Sequence, residues 1–178
     1  MSSQYLVPIV KRQILSGENL PGIQFDNIPQ NFTDLIIYIS SRAVGTAARG
    51  TRIRSHFNGG DALFSNTAMG ANGGISFGFR ENPAANHPPG LVSLAGGAAN
   101  CFSSTEITIL NYSSSTRFKN IMGVTSRGDV TTSSSADFIN VVASLWRNTS
   151  PITSILYSPE NGTNFDVGTT FYIYGRKE

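Results

Sequence analysis

Charge is what this sequence has least of. Lys, Arg, Asp and Glu make up 13% of the chain, against about 25% in an average globular protein. The net charge of +2 is too small to draw in a polyanion, so nucleic acid is not an expected partner. Arg42, Arg49, Arg52 and Arg54 form a local basic cluster, but no aromatic residues interleave it as single-strand binding requires. A solvated strand face with salt bridges accounts for it. Cysteine occurs once, as Cys101, which excludes an intrachain disulfide framework. With no His or basic neighbour to activate it, Cys101 is expected to be buried and inert. No apolar run nears the ~20 residues of a spanning helix. The start, Met1-Ser2-Ser3-Gln4-Tyr5, lacks the basic segment and long apolar stretch of a secretion signal. Neither membrane insertion nor general secretion is expected, and the chain reads as one made in a cytosol.

Catalytic equipment is equally sparse. There are only two histidines, His56 and His87, and no G-x-S-x-G nucleophile elbow. Neither His stands at metal-ligand spacing from a Cys, Asp or second His. Asp61, after Asn58-Gly59-Gly60, lacks the acidic ladder of a calcium loop. The eleven acids are scattered singly, so no facing carboxylate pair is suggested. The glycine-rich stretches do not join a strand to a helix, which removes phosphate-loop and dinucleotide patterns. The expectation is a protein that is not an enzyme and holds no metal or cofactor. Four N-x-S/T sequons, at Asn31, Asn111, Asn148 and Asn161, carry no glycosylation meaning in a Ser/Thr/Asn-rich chain without a leader.

What the sequence does have is strand material. Its 178 residues suit one domain with a real core. Runs rich in Ile, Phe, Val and Tyr alternate with Gly, Ser, Thr and Asn, the pattern of strands and turns. Leu35-Ile36-Ile37-Tyr38-Ile39 reads as a central strand. Arg52–Phe57 alternates, with Ile53 and Phe57 inward and Arg52, Arg54 and His56 outward. Ile75, Phe77 and Phe79 are also expected inward. Phe138–Arg147, the longest apolar stretch, reads as a strand because of its β-branched and aromatic content. About nine strands and no helix point to an antiparallel β-sandwich, jelly-roll-like, spanning residues 23–178. The expected core includes Phe25, Leu35, Ile37, Phe57, Phe77, Ile109, Trp146, Phe165 and Phe171.

Two segments stand apart. Residues 1–22 carry the apolar stretch Tyr5–Leu15 followed by the turn clusters Ser16–Asn19 and Pro21-Gly22. They read either as an extended N-terminal arm that adds a strand to a neighbour or anchors in a larger structure, or as the first edge strand of the domain. Residues 81–100, with His87-Pro88-Pro89-Gly90 and Gly96-Gly97-Ala98-Ala99, read as a long surface loop.

The segment Ile23–Ile37 resembles the opening of a group of small structural proteins of tailed bacteriophages, "I-x-F-x-x-I-P-Q-x-[FY]-x-x-L". The likeness continues through Arg54–Gly59 ("R-x-x-F-N-G") and Glu106–Tyr112 ("E-I-x-I-x-N-Y"). It closes with Leu145–Asn148, Ile152–Ile155, Asn164–Thr169 and Phe171–Gly175, in order. The resemblance covers roughly residues 23–175, interrupted at 81–100. It implies a non-enzymatic virion protein with a jelly-roll-like sandwich, assembled in the host cytoplasm, often multimeric, and it carries over no catalytic residue. A capsid decoration or cement protein, homotrimeric and bound to the major capsid protein, is the first expectation. A tail or fibre component that binds a receptor or host glycan is the second. Exposed aromatics beside polar residues, around Tyr112–Ser115 or Asn161–Asp166, would serve that role. The candidate interface residues are Tyr5, Leu6, Val7, Ile9 and Val10 of the arm, Arg52, Arg54 and His56 at the expected sheet edge, and Tyr172 and Tyr174. Like Tyr38, those two tyrosines alternate away from the expected core.

Overall fold

The computed structural model describes residues 5–45, 50–60, 63–96, 99–128, 137–160 and 163–177. Among these residues it is all β. The strands are β1 (Tyr5–Gln13), β2 (Ile23–Phe25), β3 (Asp34–Ala43), β4 (Thr51–Phe57), β5 (Phe64–Asn72) and β6 (Ile75–Ala84), followed by β7 (His87–Leu94), β8 (Ser103–Ile109), β9 (Lys119–Arg127), β10 (Phe138–Trp146), β11 (Ile155–Pro159) and β12 (Thr170–Lys177). Eight form one layer in the order β1-β12-β3-β8-β9-β10-β5-β6. Four form the other, β2-β11-β4-β7. All of these pairings are antiparallel. The layers are joined where the end of β3 runs parallel to β7, Arg42 opposite Ser93 and Ala43 opposite Leu94. The result is a jelly-roll-like β-sandwich.

Period-two patterning explains the layering. Along β9, Lys119, Ile121, Gly123, Thr125 and Arg127 are buried while the residues between them are exposed. β10 repeats the pattern, with Phe138, Asn140, Val142, Ser144 and Trp146 buried. Aromatic rings stitch the layers together. Phe57 of β4 meets Trp146 of β10 edge-on at 5.4 Å. Phe25 and Tyr157 of the smaller layer lie 5.7 and 5.6 Å from Phe171 of β12. Each fully buried ring contributes roughly 1.5–3 kcal/mol of transfer free energy.

The interior is graded along its length. In β3, β8 and β9 the inward residues at one end are Leu35, Ile109 and Ile121, opposite one another. Toward the other end they become Ser41, Ser103, Thr105 and Thr125, all buried. These hydroxyls satisfy each other: Ser41 and Ser103 lie 2.9 Å apart, Thr105 and Thr125 2.8 Å. At the apolar end sits a buried ammonium. Lys119 Nζ donates to the carbonyls of Ser114, Arg117 and Thr149 at 2.6, 2.9 and 2.7 Å, beneath the Trp146 ring. Desolvation lowers its pKa. Lys119→Met keeps the apolar stem but strips three carbonyls of their donor. It is expected to cost about 2 kcal/mol, read as a lower urea midpoint at unchanged m value.

Several sequence expectations are corrected. Residues 81–100 are not a surface loop: β6 runs to Ala84, and His87–Leu94 form β7, in which every residue but Leu91 is buried. The Pro88-Pro89 pair fits because it forms a bulge in β7 itself, the two prolines standing opposite Arg54 alone where the register shifts between Ile53 and Ser55. A bulge relieves the ladder where proline has no N–H to give. Ile75 is 75% exposed rather than inward, while Phe77 and Phe79 are half-buried. Cys101 is half-buried rather than fully enclosed. Of the two readings of the N-terminal segment, the edge strand is the one adopted. β1 pairs with β12 from Tyr5↔Lys177 to Gln13↔Thr170, Ile14 beyond it is fully buried, and Leu20 packs on the core.

Candidate interaction surface

The interface residues singled out in the sequence fall in different layers. Arg52, Arg54 and His56 alternate with the buried residues of β4 in the smaller layer. Their strand is not an edge, since β4 is flanked by β11 and β7. Arg52 pairs with Glu81 at 3.1 Å and lies over the Phe79 ring. Arg54 pairs with Glu160 at 2.6 Å. His56 is half-buried opposite Leu156. The two arginines are therefore already matched within the chain, as a solvated strand face would have them. Arg49 and Asp61 lie outside the described residues.

The N-terminal residues and the tyrosines do come together, on the larger layer. Val7, Ile9 and Val10 are half-buried against the core, leaving Tyr5 and Leu6 exposed. Lys11 of β1 stands beside Tyr172, its Nζ 5.4 Å from the ring centre. Tyr172 stands beside Tyr38, and Tyr38 meets Tyr174 edge-on at 5.9 Å. Partial burial, then the nearby Glu106 carboxylate and Tyr174, raise the Tyr38 pKa.

From this tyrosine corner the outer face continues across five more strands. Strand register sets its side chains in rows. One row runs Thr108, Met122, Ala143, Thr67, Arg80. The next runs Glu106, Val124, Val141, Met69, Gly78, and a third Ser104, Ser126, Ile139, Ala71, Ser76. Met69, Met122, Ile139 and Val124 are 68%, 54%, 52% and 41% exposed. A groove of about 550 Å³ opens among Leu110, Asn120, Met122, Ala143, Leu145 and Arg80. Charge is confined to the flanks, Glu106 on β8 and Arg80 on β6. Monomeric proteins rarely leave a contiguous apolar patch beyond a few hundred Å² in water.

The central residues of this face were missing from the sequence-derived interface. A signal was present. β10 reads Phe-Ile-Asn-Val-Val-Ala-Ser-Leu-Trp, apolar at both parities. In a two-layer sandwich only one face of a strand can be covered by the other layer. A strand apolar on both sides must then carry Ile139, Val141 and Leu145 outward.

The loops considered for glycan contact look different in the structure. Tyr112 is fully buried, its hydroxyl bonded to the Pro29 carbonyl and its pKa pushed up to about 12 by burial. Phe165 is buried, and Asn161 lies outside the described residues. The exposed ring of the first loop is instead Phe118.

One buried cluster has the residue types of a hydrolase. Ser144 Oγ donates to Asn66 Oδ1 at 2.7 Å, and His87 Nδ1 lies 2.7 Å from the same Oγ. Because the Ser proton is already committed, Nδ1 must be the donor, leaving Nε2 as a bare lone pair without a partner. His87 is fully enclosed. Its unprotonated nitrogen faces packed protein rather than a cleft, so the cluster ties β7 to β5 and β10 and has no access for a substrate.

No family model, curated protein or solved structure matches this chain.

Proposed function

We propose that this protein is a non-enzymatic structural component of a tailed-phage particle, acting as a capsid decoration or cement protein. The observation that carries the reading is the broad outer face of the larger layer, where Met69, Met122, Val124 and Ile139 stand uncovered in adjoining rows. A rigid sheet with an uncharged, apolar centre is a surface for stable protein contact. The virion assignment draws on the ordered motifs. Their residues Ile23, Phe25, Ile28, Phe32, Leu35 and Phe57 are all core, so the likeness is one of framework. The mechanism is passive: a prefolded sandwich bridges neighbouring shell subunits and adds contacts that resist internal pressure.

Particles imaged with and without the protein test this. Loss of shell knobs supports decoration; intact shells with lost host adsorption support the tail or fibre alternative. A point substitution isolates the face. Met122→Lys alters an exposed side chain and is expected to shift stability by no more than about 0.5 kcal/mol. It should nonetheless reduce incorporation into particles severalfold, as measured by quantitative gel analysis of purified virions. Normal incorporation of Met122→Lys would remove the outer face from the reading.

A further inference from the structure

We infer that the partner on the outer face is a second copy of this chain, stacked sheet on sheet about a two-fold axis parallel to β10. The inference rests on the reading of that face as an interface. It adds the identity and geometry of the occupant.

Area comes first. Five strands about 4.8 Å apart and four residue rows about 6.8 Å apart, the fourth being that of Asn120, Leu145 and Ser65, present roughly 650 Å² per copy. The pair would bury about 1,300 Å², above the ~1,000 Å² that separates specific interfaces from incidental contacts. Isologous packing needs one self-complementary patch and nothing else.

Charge is the second argument. The strand order β8-β9-β10-β5-β6 places β10 in the middle. An axis along it lays β8 of one copy over β6 of the other and β9 over β5, keeping each row on itself. Val124 then faces Met69 of the other copy, and Met122 faces Thr67. Glu106 falls over Gly78, one row from Arg80, where the missing side chain leaves room for the guanidinium to reach across. Neither Glu106 nor Arg80 has an ion-pair partner among the described residues. The two-fold operation supplies both at once, twice per dimer. Near the axis, Ile139, Val141 and Ala143 meet their own copies, with no like charges opposed.

The test is sedimentation of the full chain over a concentration series, with single and paired charge reversals. The wild type should sediment as a dimer at micromolar concentration. Glu106→Arg and Arg80→Glu should each weaken dimerisation about tenfold or more, because like charges then face each other. The double variant should return to within about threefold of wild type. A wild type that stays monomeric at 100-fold higher concentration, one that forms trimers, or a double variant no tighter than the singles would overturn the inference. Particle incorporation of Met122→Lys separates the two readings. A monomeric wild type whose Met122→Lys variant still loses incorporation means the face is an interface for a different protein. A dimeric wild type whose Met122→Lys variant dissociates but incorporates normally keeps the second copy and overturns the outer face's part in incorporation.

Discussion

Lowering the pH from 7 to 4 is expected to cost this fold about 3 kcal/mol through His87 alone. Desolvation holds the folded-state pKa down to about 3, from an ordinary 6.5. The bond network points the same way, because a second ring proton would sit on Nε2, which has no acceptor. In the unfolded chain the imidazole protonates near its ordinary value. Between these limits the unfolded state binds the extra proton and the folded state does not, so stability rises with pH through this window. The contribution is complete above about pH 6.5 and falls away as the pH drops toward 3. Denaturant unfolding at pH 7 and pH 4 measures it. His87→Gln, which keeps a donor for Ser144 but cannot titrate, should lose far less between the two conditions, whatever its starting stability. Equal losses in the variant and the wild type would show that His87 is not the group responsible. Against a typical total of 5–15 kcal/mol, the wild-type loss is large enough to bring unfolding within reach of mild acid.

The second large effect is expected from the smallest substitution, Gly90→Ala. Gly90 sits on β7 where that strand crosses the inner face of β9. A Cβ there would lie 1.7 Å from Thr125 Oγ1 and 2.6 Å from Thr125 Cβ. No rotamer of Thr125 removes the second clash, and the hydroxyl is engaged with Thr105 at 2.8 Å. On the facing strand, Gly123 abuts the Pro89 backbone, with a Cβ position only 2.8 Å from its carbonyl oxygen. Two glycines thus let the layers approach backbone to backbone at one point. Overpacking generally costs about 1–3 kcal/mol, and more where backbone must move. Here at least 3 kcal/mol is expected, or a chain that fails to fold. Thr125→Gly in the Gly90→Ala background should recover part of the loss because it removes the opposing atoms. A Gly90→Ala protein as stable as wild type in thermal unfolding would mean the layers are not this close.

The sequence showed the fold more clearly than the site, for a physical reason. Burial on one side leaves a period-two signature, and β3, β4 and β9 carry it plainly. β7 was hidden because proline and glycine ordinarily end strands. Its prolines fall in a bulge of β7 itself, and its glycine is demanded by Thr125 of β9; neither leaves an alternating pattern to read. Ile75 was misplaced because its parity is inward, yet at the start of β6, beside the Gly73-Gly74 turn, it is exposed. The outer face was missed for a related reason. Alternation tells which residues share a face, but deciding that Met69, Met122 and Ile139 lie together requires the register of three strands. The arginines drew attention by their charge, and their carboxylate partners, Glu81 and Glu160, lie 29 and 106 residues away in sequence.

The hydroxyl-to-aliphatic grading of the interior bears on how the chain finds its alignment during folding. A one-residue slip between β8 and β9 turns the inside out and is rejected at once. A two-residue slip preserves inside and outside, so ordinary patterning is blind to it. Here such a slip in one direction would set Ile107 against Thr125 and Thr105 against Arg127. It would break the Thr105–Thr125 bond and leave a hydroxyl stranded among aliphatic carbons. The lengthwise gradient therefore acts as a ruler, marking distance along the strands as alternation marks their sides. A chain so rich in near-identical Ser, Thr, Ile and Val strands needs one.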